Sequence, residues 1–210
     1  ENGYLQPKIN NMKNLALLFV VLFSLSISAQ TTYIHCGQVF DSASGKIKKE
    51  LTLIIEGNKI DQVVKGYAQP VQGATVIDLK SKTVYPGFID MHVHIESESN
   101  PSKYLNKYRL NEADIAFDAA VFARRTLMAG FTTVRDLGGT GVNIALRNAI
   151  ESGKLKGPRV FTAGKTLSST GGHGDPTNGN KAIIQGDPGP KEGVVNAPDD
   201  ARKAVRQRYK

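Results

Sequence analysis

The pattern of the chain changes at Pro86-Gly87, and that change limits the folds open to it. Beyond it, strand-like and helix-like segments alternate. An apolar-rich strand at 88–95 precedes a helical period over 111–129, and a strand at 131–135 precedes a helix at 142–152. A third strand at 159–163 leads through a long Gly-rich stretch to a helix opening at Asp199-Asp200, where carboxylates suit the first turn. Ile115, Ala119, Phe122, Thr126 and Leu127 fall on one side of the first helix, and Gly130 and Gly153 stand where helices stop. Such alternation predicts an α/β fold of three parallel βα units over 87–210. Periodicity leaves two settings open: a doubly wound sheet, or the first part of a (β/α)8 barrel. Before the change, residues 30–86 hold only short strands: 32–40, a hairpin of 51–56 with 59–64 around Gly57-Asn58, and 75–79. A small all-β module ahead of the βα units is therefore expected.

The first 29 residues belong to neither part. Lys13 precedes an apolar run at 15–23, and small residues lead to Ala29. A basic region, an apolar core and a small-residue cleavage site over 12–29 read as a signal peptide. The run is shorter than the about 20 residues that span a bilayer. Residues 1–11 read as upstream sequence carried in frame ahead of Met12. The expected protein is exported, to the periplasm or beyond, with no stable membrane association once the leader is removed.

Composition excludes several classes. Cys36 is the single cysteine, so no intrachain disulfide forms, and its strand-like setting suits a small buried side chain. The net charge is +8, but Arg202, Lys203, Arg206, Arg208 and Lys210 concentrate much of it at one end. That is one solvated helix face, and nucleic acid is not expected as a partner. Gly138-Gly139 and Gly171-Gly172 lack the Lys-Ser/Thr that follows a phosphate-binding loop. Self-association into a homo-oligomer is left open.

The chemistry-bearing residues lie on the first strand of the second part. Strand side chains alternate faces, so Asp90, His92 and His94 share one face while Ile89, Met91, Val93 and Ile95 share the other. The apolar face is expected to pack on helices, and the polar face to point into a barrel or crevice. Imidazoles two residues apart, about 7 Å along a strand, converge on one ion if the strand end bends. Neutral imidazole suits Zn2+ and its neighbours. Two strand histidines are also readable as hydrogen-bonded structural residues. Three polar groups on one face of a buried strand favour a metal site, because unpaired burial is costly.

Val84-Tyr85-Pro86-Gly87-Phe88-Ile89-Asp90-Met91-His92-Val93-His94 resembles the first-strand signature of the amidohydrolase superfamily. Ala129-Gly130-Phe131-Thr132-Thr133-Val134-Arg135-Asp136 is similar to the second-strand segment of one branch. Gly157-Pro158-Arg159-Val160, leading to Ser168-Ser169-Thr170-Gly171-Gly172-His173-Gly174, is similar to its third. That branch holds imidazolonepropionase-like enzymes and Xaa-Pro dipeptidases of the prolidase type. The resemblance implies a metal-dependent hydrolase with a TIM (β/α)8 barrel, preceded by a β-sandwich portion at 30–86. It implies His92 and His94 as ligands of one or two Zn2+ ions and His173 as a substrate-binding residue. Asp136 and Arg135 are expected to make a structural ion pair or hydrogen bond near the site, and Asp90 to support the ligands. The implied reaction is hydrolysis of a carbon–nitrogen bond in a small peptide or amide, with an Xaa-Pro dipeptide as the leading substrate. A cyclic amide, or a non-catalytic scaffold of the same fold, remains as an alternative.

Family members run to about eight βα units, and the bridging lysine, two later histidines and catalytic aspartate have no counterparts here. Lys210 falls on a charged helix, not in a strand, and is not the bridging residue. The C-terminal half of the barrel is therefore expected to be missing. Two histidines are fewer than a tetrahedral zinc site needs, so the 210 residues alone are expected to be inactive and poorly soluble.

Overall fold

The computed structural model describes residues 31–209. The expected upstream segment at 1–11, the leader at 12–29 and Lys210 lie outside the described residues. The chain separates into two compact units at Pro86/Gly87.

The first unit is one four-stranded sheet of order β3-β2-β1-β4. Its strands are β1 (Thr31–Asp41), β2 (Lys46–Glu56), β3 (Lys59–Lys65) and β4 (Thr75–Val84). β1 and β2 pair antiparallel, as do β2 and β3, whose Glu56↔Lys59 register closes the predicted hairpin. Only Gly57 of the Gly57-Asn58 turn has positive φ. β4 runs parallel to β1 and is five residues longer than its sequence suggested. The extension follows a register shift at Cys36/Gln38 that lets pairing resume at Thr83 and Val84. Gly37 sits at that shift, where a Cβ would lie 2.0 Å from the Lys80 carbonyl oxygen. Among the described residues this unit holds one sheet.

Polar groups inside this unit are satisfied locally. The buried Thr52 hydroxyl donates to the Gly66 carbonyl at 2.8 Å and accepts the Ala68 N–H at 3.0 Å. His35 Nε2 lies 3.0 Å from the Ala68 carbonyl, and its ring tilts against Tyr67. Cys36 is buried, and burial pushes its thiol above the usual range.

The second unit contains three parallel strands, β5 (Phe88–Val93), β6 (Phe131–Asp136) and β7 (Arg159–Thr162), in the order β5-β6-β7. Its helices are α1 (Lys103–Arg109), α2 (Glu112–Met128), α3 (Val142–Glu151), α4 (Ala182–Gln185) and α5 (Pro198–Tyr209). α2 starts where the Asp114 carboxylate accepts the Asn111 N–H at 2.9 Å, a reciprocal cap that occupies an otherwise orphan donor. It ends at Gly130, whose carbonyl accepts the Phe88 N–H at 2.9 Å and so joins the end of α2 to β5. The core is Ile95, Ala119, Ala123, Val134, Leu146 and Val160, flanked by Val93, Phe131 and Ile150. Alanines at 119 and 123 sit one turn apart, so α2 approaches the strands closely.

β5 departs from its expected form in two ways. It ends at Val93, two residues early, so His94 and Ile95 lie beyond the strand. Its apolar face is only partly covered: Val93 and Ile95 join the core, whereas Ile89 is 61% and Met91 57% exposed. β5 is an edge strand whose pairing to β6 is interrupted between Asp90 and Val93.

Gly37→Ala tests the close approach of β1 and β4. Forcing a methyl against the Lys80 carbonyl is expected to lower stability by about 1–3 kcal/mol, the usual cost of overpacking, read as a lower urea midpoint with unchanged slope.

Candidate metal centre

The end of β5 carries the two histidines, and its shape follows from the interrupted pairing with β6. The Asp90 carboxylate accepts the backbone N–H of His92 at 3.0 Å, a local bond that holds the irregular segment. The His92 and His94 rings stand edge to face with centroids 5.5 Å apart. His94 Nδ1 lies 2.8 Å from the Gly138 carbonyl oxygen. A carbonyl only accepts, so Nδ1 carries the proton and the neutral ring keeps its lone pair on Nε2. That tautomer leaves Nε2 as the atom able to ligate a metal, with the other nitrogen tied to a fixed acceptor.

Two buried carboxylates hold this arrangement, and neither is matched by a cation. Among the described residues, the ion pairs are Lys48–Asp41, Lys80–Asp78, Arg125–Glu98 and Arg202–Asp199. Asp136, 1% exposed, instead accepts N–H groups: Ile95 at 3.1 Å on Oδ2, with Gly138 at 2.9 Å and the Asn143 amide at 3.2 Å on Oδ1. It therefore makes hydrogen bonds to the main chain and to Asn143. Glu96, 8% exposed, accepts the Thr140 and Asn143 backbone N–H groups, each at 2.6 Å. These donors lie at the start of α3, where the helix dipole favours an anion. Gly139 leaves room for it, since a Cβ there would lie 2.5 Å from the Glu96 carboxylate. The buried Asn143 amide also donates to the Gly164 carbonyl at 3.1 Å, while its Oδ1 has no partner.

Glu96 is the residue that sequence reading missed. It continues the alternation of Asp90, His92 and His94, but Glu96-Ser97-Glu98-Ser99 reads as the start of a polar loop. Its partners lie more than 40 residues away, so only the fold brings them together.

The histidines open into a cleft of about 830 Å³ whose lining includes Glu96, Lys103, Lys107, Asp118 and His173. His173 is thus in the same cleft as His92 and His94, on an exposed part of the loop after β7. That loop is braced by buried Asp175, which accepts the Gly171 N–H at 2.8 Å, the Thr177 N–H at 2.8 Å and the Thr177 hydroxyl at 2.7 Å. The Thr177 hydroxyl and then the two backbone donors hold the Asp175 carboxyl below its ordinary value of 3.8. Across the cleft, Lys107 and Tyr108 of α1 both donate to the Asn180 side-chain oxygen at 2.6 Å.

Among the described residues, no group of three or more His, Cys, Asp or Glu side chains is placed to hold a metal ion. His92 and His94 are a pair of nitrogen donors, and the fixed tautomer of His94 fits a ligand role.

The family profile described as Amidohydrolase family matches residues 83–210. The chain belongs to this family. Among solved structures it is similar to a Xaa-Pro dipeptidase with methionine bound in its active site, at 44% identity and a TM-score of 0.79. It is also similar to a prolidase complexed with N-methylphosphonate-L-proline, at 32% identity and a TM-score of 0.70. Each likeness covers 86% of this chain and 44% of the other. Ochratoxinase of Aspergillus niger is 29% identical over 157 residues, which is 70% of this chain and 31% of that protein. The chain thus spans less than half the length of these relatives. Its fold is α/β and corresponds to part of the amidohydrolase architecture: a small β unit and three consecutive βα units.

The depressed pKa of Asp175 predicts the acid response of the His173 loop. A carboxyl whose folded pKa is lowered contributes stability above its unfolded value, and that contribution is lost as pH falls through the folded pKa. Amide-exchange protection of residues 171–177 is expected to hold from neutral pH through the ordinary carboxylate range and to fall below it. Asp175→Asn is expected to weaken protection at neutral pH and to remove most of that pH dependence.

Proposed function

We propose that this chain carries the two-histidine part of the metal site of a hydrolase that cleaves a carbon–nitrogen bond, with Xaa-Pro dipeptides as the substrate class. The observation that carries the reading is the His94 Nδ1–H bond to the Gly138 carbonyl, which leaves Nε2 with its lone pair on a ring 5.5 Å from that of His92, both lining the cleft. Site residues at the C-terminal end of a barrel strand are where this architecture builds active sites. Similarity to a Xaa-Pro dipeptidase and to a prolidase supports the substrate class.

In this reading, His92 and His94 hold a divalent ion such as Zn2+. When bound, such an ion supplies water activation and carbonyl polarisation. The chain's own groups do the rest. Asp90 fixes the His92 backbone, and Gly138 fixes the His94 ring. His173, on its Asp175-braced loop, lies in the cleft to meet the substrate carbonyl. The remaining ligands and the general base come from other parts of a complete barrel. Export through the leader at 12–29 fits the scavenging of small peptides.

The test uses the complete gene product loaded with Zn2+, assayed against Xaa-Pro dipeptides and against cyclic amides. Turnover is expected on the dipeptides. His92→Ala and His94→Ala are each expected to lower kcat/KM by more than the roughly 10–100-fold that loss of a supporting group costs. Activity confined to the cyclic amides would defeat the dipeptide reading; no hydrolysis of either panel would defeat the enzyme reading.

A further inference from the structure

Asp136 is buried, is matched by no cation, and reaches both sides of one ligand. Its Oδ2 accepts the N–H of Ile95, the residue directly after His94. Its Oδ1 accepts the N–H of Gly138, the residue whose carbonyl receives the His94 Nδ1–H. One carboxylate therefore holds the backbone beside the His94 ring and the backbone that supplies the ring's acceptor. The Asn143 amide, donating to the same Oδ1 and to the Gly164 carbonyl, fixes the carboxylate's own orientation.

An uncompensated buried carboxylate is costly unless its oxygens are fully occupied by donors. Among the described residues the donors to Asp136 are three N–H groups, and two of them belong to the His94 surroundings. An apolar side chain in its place would leave the Ile95 and Gly138 N–H groups without this acceptor. A carboxylate adds something an apolar residue cannot: it fixes the spacing between residue 95 and residue 138. That spacing decides whether the Gly138 carbonyl stays at 2.8 Å from Nδ1.

We propose that Asp136 is a positioning residue for the metal site, selecting the Nδ1–H tautomer of His94 and so presenting Nε2 as the ligand atom. The proposal rests on the metal-binding reading above, and it acts through Gly138 without touching metal or substrate. Glu96 differs in role. It holds Thr140 and Asn143 at the start of α3 and bonds to neither Ile95 nor Gly138.

The test is nitrogen NMR of the metal-stripped complete gene product, with ¹⁵N-labelled histidine, at a pH where the imidazoles are neutral. Its first arm needs no variant: the His94 signals, assigned by their loss in His94→Gln, are expected to show a protonated Nδ1 and a bare Nε2. A bare Nδ1 in the native protein overturns the proposal. In the second arm, isosteric Asp136→Asn puts an NH2 against a backbone N–H, and His94 is expected to become a mixture of tautomers. Zn2+ affinity, read by chelator competition with the metal alone, is expected to fall about 10–100-fold, the range for a lost supporting partner.

Leu146→Ala, a cavity in the same core, serves as the control for general loosening. It is expected to lower the Tm while leaving the His94 tautomer unchanged. An equal tautomer shift in Leu146→Ala, or an unchanged tautomer in folded Asp136→Asn, overturns the proposal. Should Asp136→Asn fail to fold, Asp136→Glu takes its place, keeping the charge but displacing the carboxylate: the same mixture of tautomers is expected, and an unchanged tautomer overturns the proposal. A native protein with the Nδ1–H tautomer but no Zn2+ affinity would sink the metal-binding reading and leave the positioning of the ring standing.

Discussion

A carboxylate buried without a cation has to be surrounded by N–H donors, and this requirement organises the second unit around the end of β5. Asp136 and Glu96 gather five N–H bonds between them, drawn from the end of β5, the loop after β6 and the start of α3. None of these segments is regular enough to satisfy its own donors. The strand has lost its pairing, the loop has none, and the first turn of a helix leaves its N–H groups unbonded. Two acids supply the missing acceptors at once. The irregular backbone at the end of β5 is thereby held by side-chain acceptors in place of strand pairing.

Much of the frame could be read from the sequence because its signals are local. Runs such as Phe131-Thr132-Thr133-Val134 are β-branched and aromatic, the Ala119/Ala123 spacing is helical, and Gly130 and Gly153 follow the helices they end. α1 escaped notice because Lys-Tyr-Leu-Asn-Lys-Tyr-Arg has no repeating apolar position and buries no residue. The length of β4 escaped notice because it depends on a register shift in a different strand. At the site, His92, His94 and His173 carry their chemistry in their residue types and are legible from spacing and resemblance. Glu96 and Gly139 are not, because a carboxylate beside a serine looks like solvent-facing chain until α3 is laid over it. The exposure of Ile89 and Met91 was equally illegible, since alternation says which residues share a face and nothing about what covers it.

The cleft divides its labour between rigid and adjustable parts. Its floor is made of strand ends, where the backbone beside His94 is fixed by buried bonds to Asp136. Its walls are α1 and the loop after β7, joined through Asn180 by Lys107 and Tyr108. These wall contacts are exposed and carry little energy individually, whereas the bonds of the floor are shielded from water.

The order β5-β6-β7 is also the order in which the strands leave the ribosome. Each new strand meets a finished edge, and the helix between strands has already been made when the next one arrives. Each pairing still closes the loop of a whole βα unit, as between Phe88 and Phe131, and such closures make parallel sheets slow to form. The apolar face of β5, with Ile89 61% and Met91 57% exposed, lies on the first of these three strands to be made. While that face stays uncovered during synthesis, the nascent chain is open to association with its own copies and to chaperones that bind apolar surface.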